Sequence, residues 1–208
     1  MSAIFGLLRH DGGYASRGAL DAMAGPVLHF ARDGLALHAE GPAALGVARL
    51  QTCPEGDHLA IDTSLPVSAV ADARLDNRQE LVSALGLSPE TGDTEIIRYA
   101  QQEWGDQACS GFIGSFCYAS WDRSRRVLTL VRDAVGMRPL FWAQRPGFTA
   151  FATDPRCLLA LAEVPNDADE VGIFYFFFPE LLFYDKARTS YQAIERLPPA
   201  TRLEVYLD

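Results

Sequence analysis

At 208 residues, 49% hydrophobic and 22% charged, the chain has room for a sizeable core and the composition of a globular protein, which excludes a disordered one. A net charge of −9 repels a nucleic-acid backbone, and the densest basic run, Arg123-Ser124-Arg125-Arg126, reads as a hairpin turn and not as a binding patch. No run approaches the ~20 apolar residues that span a bilayer. The amino terminus also lacks a charged-then-apolar leader, so a cytoplasmic protein with no membrane partner is expected.

Ile4 to Leu8 is an unbroken apolar run and predicts a buried strand. Leu45–Leu50 and Leu65–Leu75 predict two more, the second carrying Val67, Ala69 and Ala71 on one face and Val70 on the other. Asn77 opens a short helix with Leu81, Val82 and Leu85 on one side. Gly92-Asp93-Thr94-Glu95 starts another, which Asp93 or Thr94 is expected to cap. Ile96, Ile97, Ala100 and Trp104 follow at helical spacing, and Gly105 suits the stop.

Phe112–Trp121 and Val127–Val131 flank Asp122-Arg123-Ser124-Arg125 and predict a hairpin. Leu140–Trp142 and Phe148–Ala152 flank Arg145-Pro146-Gly147 and predict a second. Pro155 begins a helix through Leu158, Leu159 and Leu161, and Arg202–Leu207 forms a last strand. Cys53, Cys109, Cys117 and Cys157 are scattered and read as free thiols. The four histidines, His10, His29, His38 and His58, have no ligand spacing, so no metal is assigned. Many antiparallel strands with few helices and no strand–helix alternation imply one α+β domain, residues 1–208, with stacked sheets.

Met1-Ser2-Ala3-Ile4-Phe5-Gly6 resembles the Met-Cys-Gly-Ile-Phe-Gly start of class II glutamine amidotransferases, asparagine synthetases in particular. Leu45–Leu50 is similar to their Leu-Gly-x-x-Arg-Leu, and Asp72–Leu81 to their Asn-Gly-Glu-Ile-Tyr-Asn followed by Glu-Leu. The same order continues through Gly92–Ile97, through Trp121-Asp122 with Arg132-Asp133-Ala134-Val135-Gly136-Met137-Arg138-Pro139-Leu140-Phe141, and through Phe151–Asp154 and Ile194–Pro199. The resemblance implies the four-layer αββα sandwich of amino-terminal-nucleophile hydrolases, built from two antiparallel sheets.

It also implies a site. A glutaminase of this type uses the residue after the excised Met as nucleophile, its α-amine as base, and paired donors for the tetrahedral oxyanion. Here the nucleophile position holds Ser2, a weaker nucleophile than a thiol, and Ala3 replaces a glycine. Asp72 and Ala73 stand at the oxyanion position in place of Asn-Gly, and an ionised Asp72 offers no donor. Of the segment around His29, only His29 and Asp33 match. Arg49 and Asp93 match residues that would hold the substrate α-carboxylate and ammonium. They carry structural readings as well, an internal ion pair and a helix cap.

The resemblance therefore implies a degenerate glutaminase-like domain of an ATP-dependent amide-forming enzyme, of the lasso-peptide cyclase or β-lactam synthetase type. The Arg74-Leu75-Asp76-Asn77-Arg78 run is closest to that branch. Its partner would be an adenylate-forming synthetase domain, in cis or in trans, which alone would carry ATP and magnesium. Ser110–Ser115 is no substitute for that domain's phosphate-binding loop. Two other readings stay open: an amidohydrolase using Ser2, and a stand-alone amino-acid-binding or interaction protein. The aromatic stretch Phe174–Phe178 with Leu181–Tyr184 is expected to place about half its rings in the core.

Overall fold

The computed structural model describes residues 2–51, 61–178, 180–181 and 185–207. Its first half contains β1 (Ala3–Arg9), α1 (Arg17–Ala24), β2 (Leu35–Glu40), β3 (Ala43–Ala48), β4 (Val67–Leu75), α2 (Arg78–Leu85) and α3 (Asp93–Trp104). The second half contains β5 (Gly114–Asp122), β6 (Val127–Arg132), β7 (Phe141–Arg145), β8 (Phe148–Ala152), α4 (Pro155–Leu159), α5 (Glu170–Phe177), β9 (Glu195–Arg196) and β10 (Thr201–Tyr206). The strands form a six-stranded sheet in the order β2-β3-β1-β8-β7-β9 and a four-stranded sheet in the order β10-β6-β5-β4. Every named strand pair is antiparallel.

The layering follows from the period of two along each strand. In β1, Ile4 and Leu8 point to one side and meet Val70, Cys117, Ala119, Trp121, Leu128 and Leu130 of the other sheet. Phe5 and Leu7 point to the opposite side, where Leu20 and Met23 of α1 and Cys157 and Leu158 of α4 cover them. The four-stranded sheet repeats the arrangement, burying Ala71, Phe116, Tyr118 and Val131 under Leu81 and Val82 of α2 and Ile96, Ile97 and Ala100 of α3. Helices, sheet, sheet and helices thus stack as four layers. Strands buried on both faces read as unbroken apolar runs, which is why β1, β3 and β6 stand out in the sequence.

Local chemistry fixes the connections. The Asp122 carboxylate accepts the N–H groups of Ser124 (2.8 Å) and Arg125 (3.0 Å), closing the β5–β6 turn. Asp154 caps α4 by accepting from the Arg156 N–H, with Pro155 in the first turn. Ser16 caps α1 through the Ala19 N–H at 3.1 Å, a helix that the apolar spacing did not reveal.

Two expectations are corrected. The cap of α3 is Gly92, in extended conformation, and the Asp93 side chain leaves the helix to bond elsewhere. The aromatic stretch does not fill the core: Phe176 is 77% exposed, Phe177 69%, Phe174 50% and Phe178 48%. Phe174, Phe176 and Phe177 belong to α5 and Phe178 is its C-cap; the helix is anchored at its foot. Asp169 accepts the Gly172 N–H and pairs with Arg188, and Gly172 lies so close to the Thr189 carbonyl that a Cβ would sit 1.8 Å from its oxygen. The rest of the helix stands clear of the sheets with apolar residues on all sides, a pattern ordinarily found in covered helices. Leu182, Phe183 and Tyr184 lie outside the described residues, as do Cys53 and His58.

Candidate functional site

Ser2 sits at the head of β1, where the two sheets meet. Its N–H donates to Asp72 Oδ1 at 2.9 Å across the sandwich, and its Oγ accepts the Leu50 N–H at 3.3 Å. The antiparallel register sets Ala3 opposite Ala48, so Arg49 and Leu50 run past Ser2 as the continuation of β3. Arg49 is buried, and its backbone pairs with Asp33 and Gly34. Ser2, Arg49, Asp72 and Ala73 are thus assembled at one end of the sandwich from three strands.

The state of Asp72 decides what this end can do. It is 5% exposed, in the middle of β4 opposite Cys117. Burial raises its pKa, Arg138 and the Ser2 N–H pull it back, and the net direction is upward. Asp72 Oδ2 lies 3.2 Å from Arg138 Nη1, an ion pair made without hydrogen-bond geometry. A tetrahedral oxyanion formed at Ser2 would therefore meet a carboxylate where a donor is required, with the neighbouring N–H already given to that carboxylate.

Arg138 is the residue that the sequence reading missed, although its motif was recognised. It is held by a tight loop after β6. The Asp133 carboxylate, 1% exposed, accepts the backbone N–H groups of Val135, Gly136, Met137 and Arg138, and that of Phe116 from β5. Burial alone would raise the Asp133 pKa, but these N–H donors outweigh it and hold the carboxyl below its ordinary value. Arg132 closes the loop from the other side by donating to the carbonyls of Gly136, Arg138 and Leu197 at 2.6–2.7 Å. Gly136 is required here: its φ is +72°, and a Cβ would come within 2.7 Å of Pro199 and 3.1 Å of the Arg132 guanidinium. The Arg-Asp-x-x-Gly-x-Arg segment is a structural clamp whose last residue is delivered to Asp72.

Asp93 is placed differently. As the first residue of α3 it accepts the Leu75 N–H at 3.0 Å and faces Arg78 Nη1 at 3.1 Å. Leu75 is three residues beyond Asp72 on β4, so Asp93 lies about 10 Å along the strand from the Ser2 contact. It lines a cavity of about 510 Å³ together with Arg74, Leu75, Asp76, Asn77 and Arg78. Among the described residues, no group of three or more His, Cys, Asp or Glu is placed to hold a metal ion, and no helix is long and apolar enough to cross a membrane.

Comparison with known proteins agrees with this architecture. A family model described as a glutamine amidotransferase domain matches residues 1–208. A Mycobacterium bovis protein named, provisionally, asparagine synthetase (glutamine-hydrolyzing) is 38% identical over 98 residues, covering 47% of this chain and 15% of that protein. Asparagine synthetase (glutamine-hydrolyzing) 3 of Bacillus subtilis is 28% identical over 98 residues, covering 47% of this chain and 16% of its own length. The matched segment is therefore a small part of each relative. In fold, the chain resembles the glutamine phosphoribosylpyrophosphate amidotransferase of Bacillus subtilis, with a TM-score of 0.61 at 15% identity over 76% of this chain and 43% of that one.

Proposed function

This chain belongs to the glutamine amidotransferase domain family, in its asparagine-synthetase-like part, and from that premise we propose that it no longer hydrolyses glutamine and serves as the scaffold for an adenylate-forming synthetase domain. The observation that carries the proposal is the Asp72 carboxylate, which accepts the Ser2 N–H and is charge-compensated by Arg138. A site organised around a buried anion is arranged against a reaction that develops negative charge. The same contact disfavours an amidohydrolase at Ser2, because any acyl transfer there passes through the same oxyanion.

The amide-forming enzyme to which the domain contributes is of the lasso-peptide cyclase or β-lactam synthetase type, in which the substrate supplies its own amine and no ammonia is needed. The run Arg74–Arg78 supports that branch. ATP and magnesium belong to the synthetase domain, on a further part of the polypeptide or on a separate chain.

The docking element is α5. Phe174, Phe176, Phe177 and Phe178 are exposed around its last turns, Phe174 packed on Phe178 and Phe176 edge-on to Phe177, and exposed aromatic surface of this kind marks interfaces, where Phe is favoured over charged residues. A second copy of this chain is a poor occupant. Its own net charge is −9, which opposes self-association. With Phe176→Glu and Phe177→Glu combined, stability should change by no more than about 0.5 kcal/mol, since both rings are exposed. Affinity for the separately expressed synthetase domain should fall about 100-fold or more, read by calorimetric titration. Unchanged affinity in the folded double variant would move the docking surface elsewhere.

A further inference from the structure

Asp93 and Arg78 are arranged in a way that scaffolding does not require. The cavity beside α3 contains three carboxylates. Asp76 and Glu80 are exposed, Asp76 pairing with the equally exposed Arg74. Asp93 is the sheltered one, with a side chain 18% exposed. A sheltered carboxylate on the wall of a cavity this size is a natural partner for a ligand cation. It is not offered to one. Its Oδ2 takes the Leu75 N–H, and its Oδ1 faces the guanidinium of Arg78, whose Nη2 donates to the Pro89 carbonyl at 2.8 Å. Arg78, the first residue of α2, spans from that helix to the start of α3 and to the loop before it. Its own side chain is only 17% exposed.

We infer that Arg78 is an internal plug: its guanidinium stands where the ammonium group of a free α-amino acid would be held and so excludes amino acids from the cavity. This rests on the reading of the chain as a glutaminase-like domain that has lost its reaction, and it names the residue that removes substrate recognition as well. The physical basis is independent of the chemistry at Ser2. A ligand ammonium approaching Asp93 would meet a fixed cation already 3.1 Å from the same oxygen, and like charges brought together without water between them repel strongly.

The test is binding, not turnover. The full chain, Arg78→Met, Arg78→Gln and Arg78→Lys are titrated with L-glutamine and with its deamino analogue, the monoamide of glutarate. The readout is the backbone amide resonances of Leu75 and Asp93. The parent and the lysine variant should show no saturable shift at millimolar ligand. The methionine variant should bind L-glutamine at least about tenfold more tightly than the parent, with no gain for the analogue that lacks the ammonium group. Arg78→Gln keeps hydrogen-bonding capacity toward Asp93 and Pro89 without the charge, so it should behave like the methionine variant even where that variant folds poorly. Binding of L-glutamine by the parent at these amides, or no gain in either folded neutral variant, overturns the inference. Glutamine hydrolysis by the parent would instead defeat the proposed function, and it is measured separately by ammonia release.

Discussion

Ammonia release from glutamine by the Ser2→Cys protein is expected to stay at least about 100-fold below that of a working glutaminase, because restoring the nucleophile leaves the oxyanion position acidic. Two contacts make the defect deeper than one substitution. Once its nitrogen is the chain terminus, Ser2 would carry its α-ammonium 2.9 Å from Asp72, which favours the protonated form and removes the base. Adding Asp72→Asn does not simply install a donor. One side-chain atom of residue 72 faces the N–H of Ser2, and the other faces Arg138. Whichever way the amide turns, its NH2 group meets another donor while its oxygen serves only one of the two. The smallest set expected to raise turnover is therefore Ser2→Cys, Asp72→Asn and Arg138→Met together. A rate within about tenfold of working glutaminases from Ser2→Cys alone would sink the assignment of Asp72 as the blocking residue.

Replacing Asp133 should be strongly destabilising. Its carboxylate takes five backbone N–H groups in a buried setting, and Asp133→Ala would strand all of them. A loss of about 3–5 kcal/mol is expected, read from urea unfolding. The pH dependence has a definite sign. The folded pKa lies below the unfolded value of ~3.9, so this contribution is complete above that value and disappears as pH falls through the folded value. The stability gap between the parent and Asp133→Asn should accordingly narrow as the pH is taken from neutral to about 3. An equal gap at both pH values would mean that the carboxylate charge is not what holds the clamp.

The sandwich was largely readable in advance because its strands are buried on both faces and its turns use strong local chemistry. Unbroken apolar runs such as Ala43–Ala48, and a turn such as Asp122–Arg125, each report on themselves. β2 escaped because its Leu-Ala-Leu-His-Ala-Glu stretch, at the edge of its sheet, mixes small and polar residues. At α3, propensity named Asp93 or Thr94 as the cap, whereas the cap is Gly92 and the Asp93 carboxylate found the backbone N–H of Leu75 on a neighbouring strand. No local pattern encodes a partner of that kind. Arg138 escaped for the same reason: nothing near it in sequence announces that the clamp aims it at Asp72. In α5 the composition was read correctly as apolar, but composition says nothing about whether the covering surface lies on the same domain.

Two thiols buried among the described residues turn the layered core into a clock for its own opening. Cys117 lies between the sheets and Cys157 under the outer helices, in separate apolar clusters. Burial and the nearby Asp72 charge drive Cys117 far above the ordinary thiol range, and burial pushes Cys157 up to about 12. In the native state neither thiol is appreciably ionised, so alkylation at neutral pH must wait for its own layer to part. Half-buried Cys109 needs no such event. Labelling of Cys117 and Cys157 at one shared rate would mean that the two halves of the sandwich separate in a single cooperative step. Faster labelling of Cys157 would mean that the helical layer over the six-stranded sheet lifts while the sheets remain joined.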